Sequence, residues 1–316
     1  MPLVMEPSWL GRRVSVRRAV RDASDAGTGV QYSDVVGDLV ALSDDAATVE
    51  TRNGPVRVPI ADVAIARVAP PSTADELALE AVGAKGWQPA ETGSVGGWVL
   101  RASGGFTSRG NSVLPLRAPG VPLDEALQRA GAWYAERGLP LKLQVPTEAR
   151  RLLDAELGER GWPILTETRV LAARLDLLRD AAASEMRVEV RLDAEPDDAW
   201  LARYRDGAGL QPVARELLTR HDRVRFASVR AGEDVLAIGR GVIDQEWLGV
   251  AAVEVDPEHR RQGLARAVMA ALWRWGVENG ARRSYLQVEA DNEPALALYE
   301  RLGYWHHHDY RYRTQP

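Results

Sequence analysis

The sequence repeats one pattern, first at residues 127–162 and again at residues 269–304. Each copy reads as helix, glycine, strand, helix, glycine-aromatic pair and strand. Leu143-Gln144-Val145 in the first copy parallels Leu286-Gln287-Val288 in the second, and Gly161-Trp162 parallels Gly303-Tyr304. An internal repeat of this kind predicts two diverged copies of one α/β unit. The alternative is a chance similarity, because glycine punctuation is common in α/β proteins.

Residues 1–70 have a different pattern, which is typical of a small β domain. Short apolar or alternating runs follow one another, and Asn53-Gly54 between two of them is a strong hairpin signal. Short strands at this spacing indicate a small barrel. Pro70-Pro71-Ser72-Thr73 then predicts a linker. The predicted strands are Arg13–Val20, Val35–Leu42, Ala47–Arg52, Val56–Ile60 and Val63–Val68.

The rest of the chain alternates helices and strands, which predicts an α/β (α+β) class and two further domains, at residues 74–178 and 184–316. The first of these should contain helices at Asp75–Ala84, Pro122–Gly138 and Glu148–Glu159 and strands at Gly97–Ala102, Asn111–Leu116, Leu139–Val145 and Ile164–Leu175. The second should contain strands at Arg187–Leu192, Val224–Arg230, Val235–Val242, Trp247–Val255 and Tyr285–Val288 and helices at Asp197–Tyr204 and Pro294–Leu302.

Composition excludes several classes of protein. The 316 residues contain no cysteine, so disulfides, a thiolate nucleophile and a thiolate zinc site are all excluded. The net charge of −5 argues against general binding to nucleic acid, and no run is apolar enough to cross a membrane. We expect a cytoplasmic protein with neither a membrane nor a nucleic acid as its partner.

The segment from Val253 to Ala265 has the properties of an anion site. An apolar strand ends at Val255, Asp256-Pro257 breaks the strand, and Arg260-Arg261-Gln262-Gly263-Leu264-Ala265 leads into a helix. Backbone N–H groups at such a helix start can converge on an anion, and the helix dipole favours negative charge there. Small residues allow a pyrophosphate to approach the backbone. By itself, the pattern also fits a plain helix cap with solvated arginines.

A second segment, Glu289 to Tyr304, contains a candidate acid. Asn292 is placed to cap the helix that Pro294 begins. Tyr299 lies on that helix, and its phenol is protonated at neutral pH, so it could donate a proton to a leaving thiolate. The alternative is a core tyrosine with no chemical role.

Taken together, the two segments resemble the GNAT superfamily of acetyl-CoA-dependent N-acetyltransferases, over about Arg187 to Arg313. The resemblance implies a tandem acyl-CoA N-acyltransferase fold with a degenerate first copy. It implies that Arg260 to Ala265 bind the pyrophosphate of coenzyme A, Val253 and Val255 bind its pantetheine arm, and Asn292 contacts that arm or holds its loop. It further implies Tyr299 as general acid and a gap between the strands Trp247–Val255 and Tyr285–Val288.

The general base is less clearly marked. Family members often use a glutamate on the fourth strand, and Glu254 is the preferred candidate here, with Glu246 and Glu289 as others. A base six residues before Val255 would fall on Gly249, which has no side chain. Glu246 and Glu254 have the opposite parity to Gly249, unless a β-bulge intervenes. A relayed water or the ionisation of the substrate itself remains open.

The middle segment lacks these features. Leu157 stands where Tyr299 stands in the second copy, and the turn Arg117–Pro122 contains two prolines and no Arg-x-x-Gly-x-Ala pattern. It therefore resembles a degenerate GNAT half that shapes the acceptor cleft. Arg109 and Asn111, in a polar segment framed by glycines, are predicted to face that cleft and bind substrate. A plain hairpin rim is the alternative.

Two remaining features are candidate binding sites. Residues 1–70 resemble the small Tudor-like barrels fused to some actinobacterial GNAT proteins, and their arginines form either a solvated face or a docking site: Arg12, Arg13, Arg17, Arg18 and Arg21. In His306-His307-His308, alternation lets only the outer two share an ion, so we expect no metal site.

The predicted activity is transfer of an acetyl group from acetyl-CoA to a small-molecule or protein amine. The alternatives are a silent acyl-CoA-binding or scaffold protein and an adaptor that acts through the barrel.

Overall fold

The computed structural model describes residues 5–20, 31–182 and 188–316. The chain forms two compact units, Met1–Ser72 and Thr73–Pro316. Arg21, Arg187 and residue 184, where the third domain was predicted to start, lie outside the described residues. Within the described ranges, no helix is long and apolar enough to cross a membrane.

The first unit is one antiparallel sheet, whose strand order is β4-β3-β2-β1-β5. The predicted Asn53-Gly54 hairpin joins β3 to β4, and Gly54 takes the φ of +104° that such a turn requires. Arg17 forms a two-pronged ion pair with Asp34 on the neighbouring strand, at 2.8 and 2.9 Å, which fits a solvated face. Closure of the sheet into a barrel stays a prediction. The strands are β1 (Arg13–Val20), β2 (Gln31–Leu42), β3 (Ala46–Thr51), β4 (Gly54–Pro59) and β5 (Val63–Val68).

The second unit mixes helices and strands. Its helices are α1 (Thr73–Gly86), α2 (Leu123–Ala135), α3 (Arg151–Glu159), α4 (Leu175–Ala182), α5 (Asp198–Arg203), α6 (Pro212–Thr219), α7 (Leu264–Glu278) and α8 (Glu293–Arg301). Its strands are β6 (Glu91–Val95), β7 (Trp98–Ala102), β8 (Leu114–Pro115), β9 (Lys142–Pro146), β10 (Ile164–Arg174), β11 (Arg191–Asp193), β12 (Val224–Ala231), β13 (Asp234–Asp244), β14 (Trp247–Val255), β15 (Arg283–Glu289) and β16 (Trp305–Thr314).

The main sheet of this unit runs across the domain boundary predicted near residue 180. Its strand order is β11-β12-β13-β14-β15-β10-β16-β9. The last strand of the first half, β10, pairs with β15 of the second half, while the last strand of the second half, β16, pairs with β9 of the first. Because the two halves exchange their final strands, they pack as one compact unit. The division into domains at residues 74–178 and 184–316 stays a prediction. The origin of the two halves as two copies also stays a prediction.

The main core lies between this sheet and α7. Leu248, Val250, Val268 and Leu272 are buried there. Gly241 on β13 lets the helix approach the sheet, since a Cβ at that position would lie 2.9 Å from Leu272. This close packing fixes the start of α7 relative to the end of β14, where the candidate site lies.

Candidate active site

A gap opens between β14 and β15 part-way along the two strands. They pair in parallel from Trp247 opposite Arg283 to Val250 opposite Leu286, and the pairing ends there. Beyond that point, β14 continues to Val255 on β13, and β15 continues to Glu289 on β10. The backbone edge of Ala251–Val255 that faces β15 is therefore available to an extended ligand.

A β-bulge lies in the open part of β14. The register on β13 shifts between Ile238, which faces Glu254, and Arg240, which faces Ala251. Ala252 inside the bulge has a φ of +54°. The extra residue moves Glu254 to the same sheet face as Gly249 and Ala251. The β-bulge that Glu254 needs in order to share the face of Gly249 is therefore present in the structure.

Glu254 reaches the loop that follows α5. Its carboxylate oxygens accept the backbone N–H of Arg205 at 3.1 and 3.3 Å. Arg205 and Asp206 both have left-handed backbone conformations, with φ of 49° and 52°. Burial raises the pKa of Glu254 above its ordinary value. The carboxylate therefore holds this loop, and its role as a base stays a prediction.

The other two glutamates lie elsewhere. Glu246 precedes β14 at its paired end, where its carboxylate is 3.7 Å from Arg283. Glu289 is exposed at the end of β15, opposite Thr168. Glu246 lies outside the gap. Glu289 shares the sheet face of Tyr285 and Gly249, but it is exposed at the far end of β15. Glu254 remains the preferred candidate base.

The loop between β14 and α7 presents unused backbone donors. The Asp256 carboxylate accepts the N–H of Glu258 at 2.9 Å and fixes the turn, and Asp256 also pairs with Arg203. Gly263, with φ of +81°, stands at the N-terminus of α7. In the described part of the chain, the N–H groups of residues 260–265 have no acceptor. Arg260, Arg261 and Gln262 are exposed beside them. Such a loop fits a pyrophosphate.

The helix α8 carries the predicted cap and the predicted acid. The Asn292 side chain accepts the N–H of Ala295 at 3.2 Å, so the cap is present. Tyr299 is only 8% exposed, and its ring lies edge-on to Tyr304 with centroids 6.0 Å apart. Burial raises the pKa of Tyr299 to about 12, so its hydroxyl stays protonated over the whole working range. The roles of both residues toward a ligand stay predictions.

The two predicted substrate residues have different surroundings. Arg109 reaches β15, where its Nη2 donates to the carbonyl of Gln287 at 3.3 Å. Asn111 is buried, and its amide makes all of its hydrogen bonds within its own loop. Its Oδ1 accepts the backbone N–H groups of Ser103 and Gly105, and its Nδ2 donates to the carbonyls of Phe106 and Thr107. Asn111 therefore has no capacity left for a substrate, which corrects the prediction. It holds the loop that carries Arg109.

Residues beyond the sequence-predicted candidates also face the gap. Arg240 and Tyr285 are buried beside Gly249, together with Trp87 from the residue after α1. One signal for Arg240 was available, because it stands between two glycines in an otherwise apolar strand. Nothing in the local pattern of Trp87 or Tyr285 distinguishes them from ordinary core aromatics.

Comparison with known proteins decides the family. The family model described as "Probable histone acetyltransferase Rv0428c C-terminal" matches residues 73–313. The chain belongs to this family of GNAT-type N-acetyltransferases. It is 32% identical over 313 residues to the Mycobacterium tuberculosis protein named "Probable histone acetyltransferase Rv0428c", with 96% of each chain covered.

Solved structures confirm the fold. A GCN5-related N-acetyltransferase from Kribbella flavida superposes with a TM-score of 0.58 at 20% identity, covering 78% of this chain and 97% of that chain. A tandem GNAT protein from the clavulanic acid biosynthesis pathway gives a TM-score of 0.52 at 13% identity, covering 79% of this chain and 89% of that chain. The predicted tandem GNAT fold is confirmed.

The first GNAT half differs from the second at the corresponding gap. Val113 pairs in parallel with Leu143, after which β8 and β9 separate. There the Arg150 guanidinium donates from Nε to the Pro115 carbonyl at 2.6 Å and from Nη2 to the Leu116 carbonyl. A cavity of about 810 Å³ lies beside it. Arg150 therefore occupies strand-edge acceptors of the kind that β14 leaves open in the second half.

Two of the three histidines in the run are buried against other side chains. His308 Nε2 lies 2.8 Å from the buried Glu80 carboxylate, and His307 stacks on Trp305. No group of three potential metal ligands is found among the residues that the structure describes.

Proposed function

We propose that this chain transfers the acetyl group of acetyl-CoA to an amine by direct attack in a ternary complex. The observation that carries the proposal is the opening between β14 and β15, which leads to the loop of unused N–H donors at residues 260–265. The open strand edge would bind the amides of pantetheine, and the loop that follows it would bind the pyrophosphate. This is the order in which the two groups follow each other in coenzyme A.

The binding roles follow from these positions. The N–H groups from Arg260 to Ala265 would hold the pyrophosphate, assisted by the exposed side chains of Arg260 and Arg261. The backbone of Val253 and Val255 would pair with the pantetheine arm. Asn292 would keep the start of α8 in place beside that arm. A backbone N–H at the end of β14 would stabilise the negative charge that develops on the carbonyl oxygen.

Acetyl-CoA supplies an acetyl thioester as the acyl donor. As the C–N bond to the amine forms and the C–S bond breaks, Tyr299 would donate its proton to the departing sulfur. Glu254, directly or through water, would take the proton that the amine nitrogen loses. Each residue returns to its starting state by exchange with solvent, so no covalent enzyme intermediate is needed.

Calorimetric titration of acetyl-CoA into the purified chain tests the cofactor site. We expect one molecule per chain, because Arg150 occupies the corresponding gap in the first half. Gly263→Glu combined with Ala265→Glu should abolish binding by placing carboxylates in the anion loop. Gly280→Glu is the matched control, since Gly280 lies just past the other end of α7 with a similar φ of +85° and open space around it. Loss of binding in both variants, or no binding by the unaltered chain, would overturn the proposal.

A screen of amines with the bound donor then tests transfer. Release of coenzyme A that depends on the amine supports an acetyltransferase. Tight binding of acetyl-CoA without transfer to any amine would instead support a silent acyl-CoA-binding protein.

A further inference from the structure

A small cavity lies beside the proposed site of acetyl transfer. It has a volume of about 20 Å³ and lies at the point where β14 and β15 separate. This is room for one water molecule or one oxygen atom of a ligand. It is lined by both strands, by α1 and by the first GNAT half: Gly86, Trp87, Arg109, Arg240, Val242, Gly249, Val250, Ala251, Tyr285 and Gln287.

Arg240 brings a buried positive charge to this cavity. The residue is only 2% exposed. Its Nε donates to the Leu218 carbonyl at 2.8 Å, and both Nη atoms donate to the Gly86 carbonyl at 3.1 Å. These acceptors are neutral. Among the described residues, Arg240 forms no ion pair, and the ionisable groups that act on it are two tyrosines, Tyr204 and Tyr285.

Arg109 brings a second positive charge to the same place. It crosses from the first half to donate to the Gln287 carbonyl on β15, and its Nε is buried with no hydrogen-bond partner in the described part of the chain. Its guanidinium lies 5.8 Å from the ring centre of Trp87, and that of Arg240 lies 4.8 Å from the same ring. Tyrosines again surround it: Tyr204, Tyr310 and Tyr312.

Placing two arginines on one aromatic ring without a carboxylate lowers the stability of the fold. Burial of an unpaired charge costs free energy, and two like charges at close range repel each other. A carboxylate is the usual partner of a guanidinium, because its two oxygens match the planar donor fork. No Asp or Glu among the described residues pairs with either arginine. A ligand carboxylate would supply the missing partner.

We propose that the amine acceptor is a small molecule that also carries a carboxylate, and that this carboxylate binds between Arg109 and Arg240. The inference rests on the proposed acetyl transfer and names its substrate class. The cavity has room for one of the two carboxylate oxygens. The same charges disfavour cationic acceptors such as a lysine-rich peptide.

Matched pairs of acceptors test this with the unaltered protein. Glycine and β-alanine each have an amide, glycinamide and β-alaninamide, in which the amine remains and the negative charge is gone. A panel of larger α- and ω-amino acids with their amides, and one lysine-rich peptide, completes the set. We expect kcat/KM to be at least about tenfold higher for the carboxylate member of an accepted pair. Equal rates within pairs, or preference for the peptide, would overturn the proposal while leaving acetyl transfer intact.

Variants locate the site. Arg109→Gln and Arg240→Gln should each raise KM for the carboxylate acceptor at least about tenfold and leave the Kd for acetyl-CoA unchanged. Arg225→Gln is the control, because Arg225 lies on the neighbouring β12 and points to the other sheet face, over Trp275. If Arg240→Gln fails to fold, Arg109→Gln alone decides, since Arg109 is partly exposed.

A second readout does not depend on activity. Propionate should raise the melting temperature of the unaltered protein more than propionamide does at the same concentration, and this difference should vanish in Arg109→Gln. If propionate and propionamide act alike, the carboxylate site is refuted. If acetyl-CoA itself fails to bind, the proposed function fails as well, so the two failures are distinguishable.

Discussion

The hydroxyl of Tyr285 lies 2.5 Å from the position that a Cβ atom on Gly249 would occupy. The two residues face each other across β14 and β15, in the last part of the paired region. The tyrosine ring therefore fills the space that a side chain at position 249 would need. The strand position six residues before Val255 is closed to a base, and the bulge at Ala252 supplies Glu254 on the same face instead.

The contact makes Gly249 intolerant of even one methyl group. Gly249→Ala should lower the free energy of unfolding by about 1–3 kcal/mol, because the new Cβ would overlap the Tyr285 ring. It should also lower kcat/KM, since the ring is displaced into the cavity. Urea denaturation measures the first effect. Gly131→Ala is the control: its nearest neighbour atom would be 3.7 Å away, inside α2, and helix propensity predicts a gain of about 0.5–1 kcal/mol. Equal stability of Gly249→Ala and the unaltered chain would contradict the overlap.

Glu254 should give the acidic limb of the pH–rate profile. Burial raises its pKa, so kcat/KM should fall with decreasing pH at a midpoint above the ordinary value of 4.5. Glu254→Gln should remove this limb and lower kcat by at least about 100-fold. Glu246→Gln, at the paired end of the same strand, should change neither. If the acidic limb of the pH–rate profile is unchanged in Glu254→Gln and only KM is raised, Glu254 holds the Arg205 loop and does not act as a base.

The same raised pKa has a stability consequence. Between the ordinary and the raised value, folded Glu254 keeps a proton that the unfolded chain has lost. The free energy of unfolding should therefore fall as pH rises through this window. Urea titrations of the unaltered chain and of Glu254→Gln across that range would show the difference, and parallel curves would argue against it.

Tyr299 and Tyr304 should separate chemistry from stability. Tyr299→Phe should lower kcat by about 100-fold or more and leave the Kd for acetyl-CoA and the melting temperature nearly unchanged, because the Tyr299 hydroxyl has no hydrogen bond within the described residues. Tyr304→Phe should instead cost about 1–3 kcal/mol of stability, since its buried hydroxyl bonds Ser284 at 2.7 Å and Trp273 at 3.0 Å. A normal rate in Tyr299→Phe would assign the proton to another donor.

His307 should make the fold sensitive to acid. Burial, followed by the charge of His308, lowers its pKa from 6.5 to about 3. Below pH 6.5, the unfolded chain binds a proton that the folded chain rejects, so the free energy of unfolding should fall as pH falls, by about 2 kcal/mol between pH 6.5 and 5. His307→Gln should flatten this dependence of the free energy of unfolding on pH, as measured by urea titrations. His306→Gln should keep it, because His306 is exposed. A slope that is identical in all three proteins would rule out His307 as its source.

Local signals predicted the elements around the proposed cofactor site. The strand Trp247–Val255 was predicted with its observed bounds, and the Asn292 cap and the Asn53-Gly54 hairpin are both present. Each depends on interactions within a few residues, namely alternation of side chains, a side-chain cap and a turn that needs positive φ. The acceptor side was predicted less well, and Asn111 was assigned to substrate although its amide is satisfied by its own loop.

The sequence by itself therefore determined the local elements and the absence of a thiolate nucleophile, because these depend on residue types and short spacings. Only the tertiary structure decided three further features. The exchange of β10 and β16 joined the halves, the bulge at Ala252 turned Glu254 to the cleft face, and packing brought Arg109 and Arg240 to one cavity. These features join residues far apart in the chain, and such contacts are set by how whole elements pack, which no local pattern encodes.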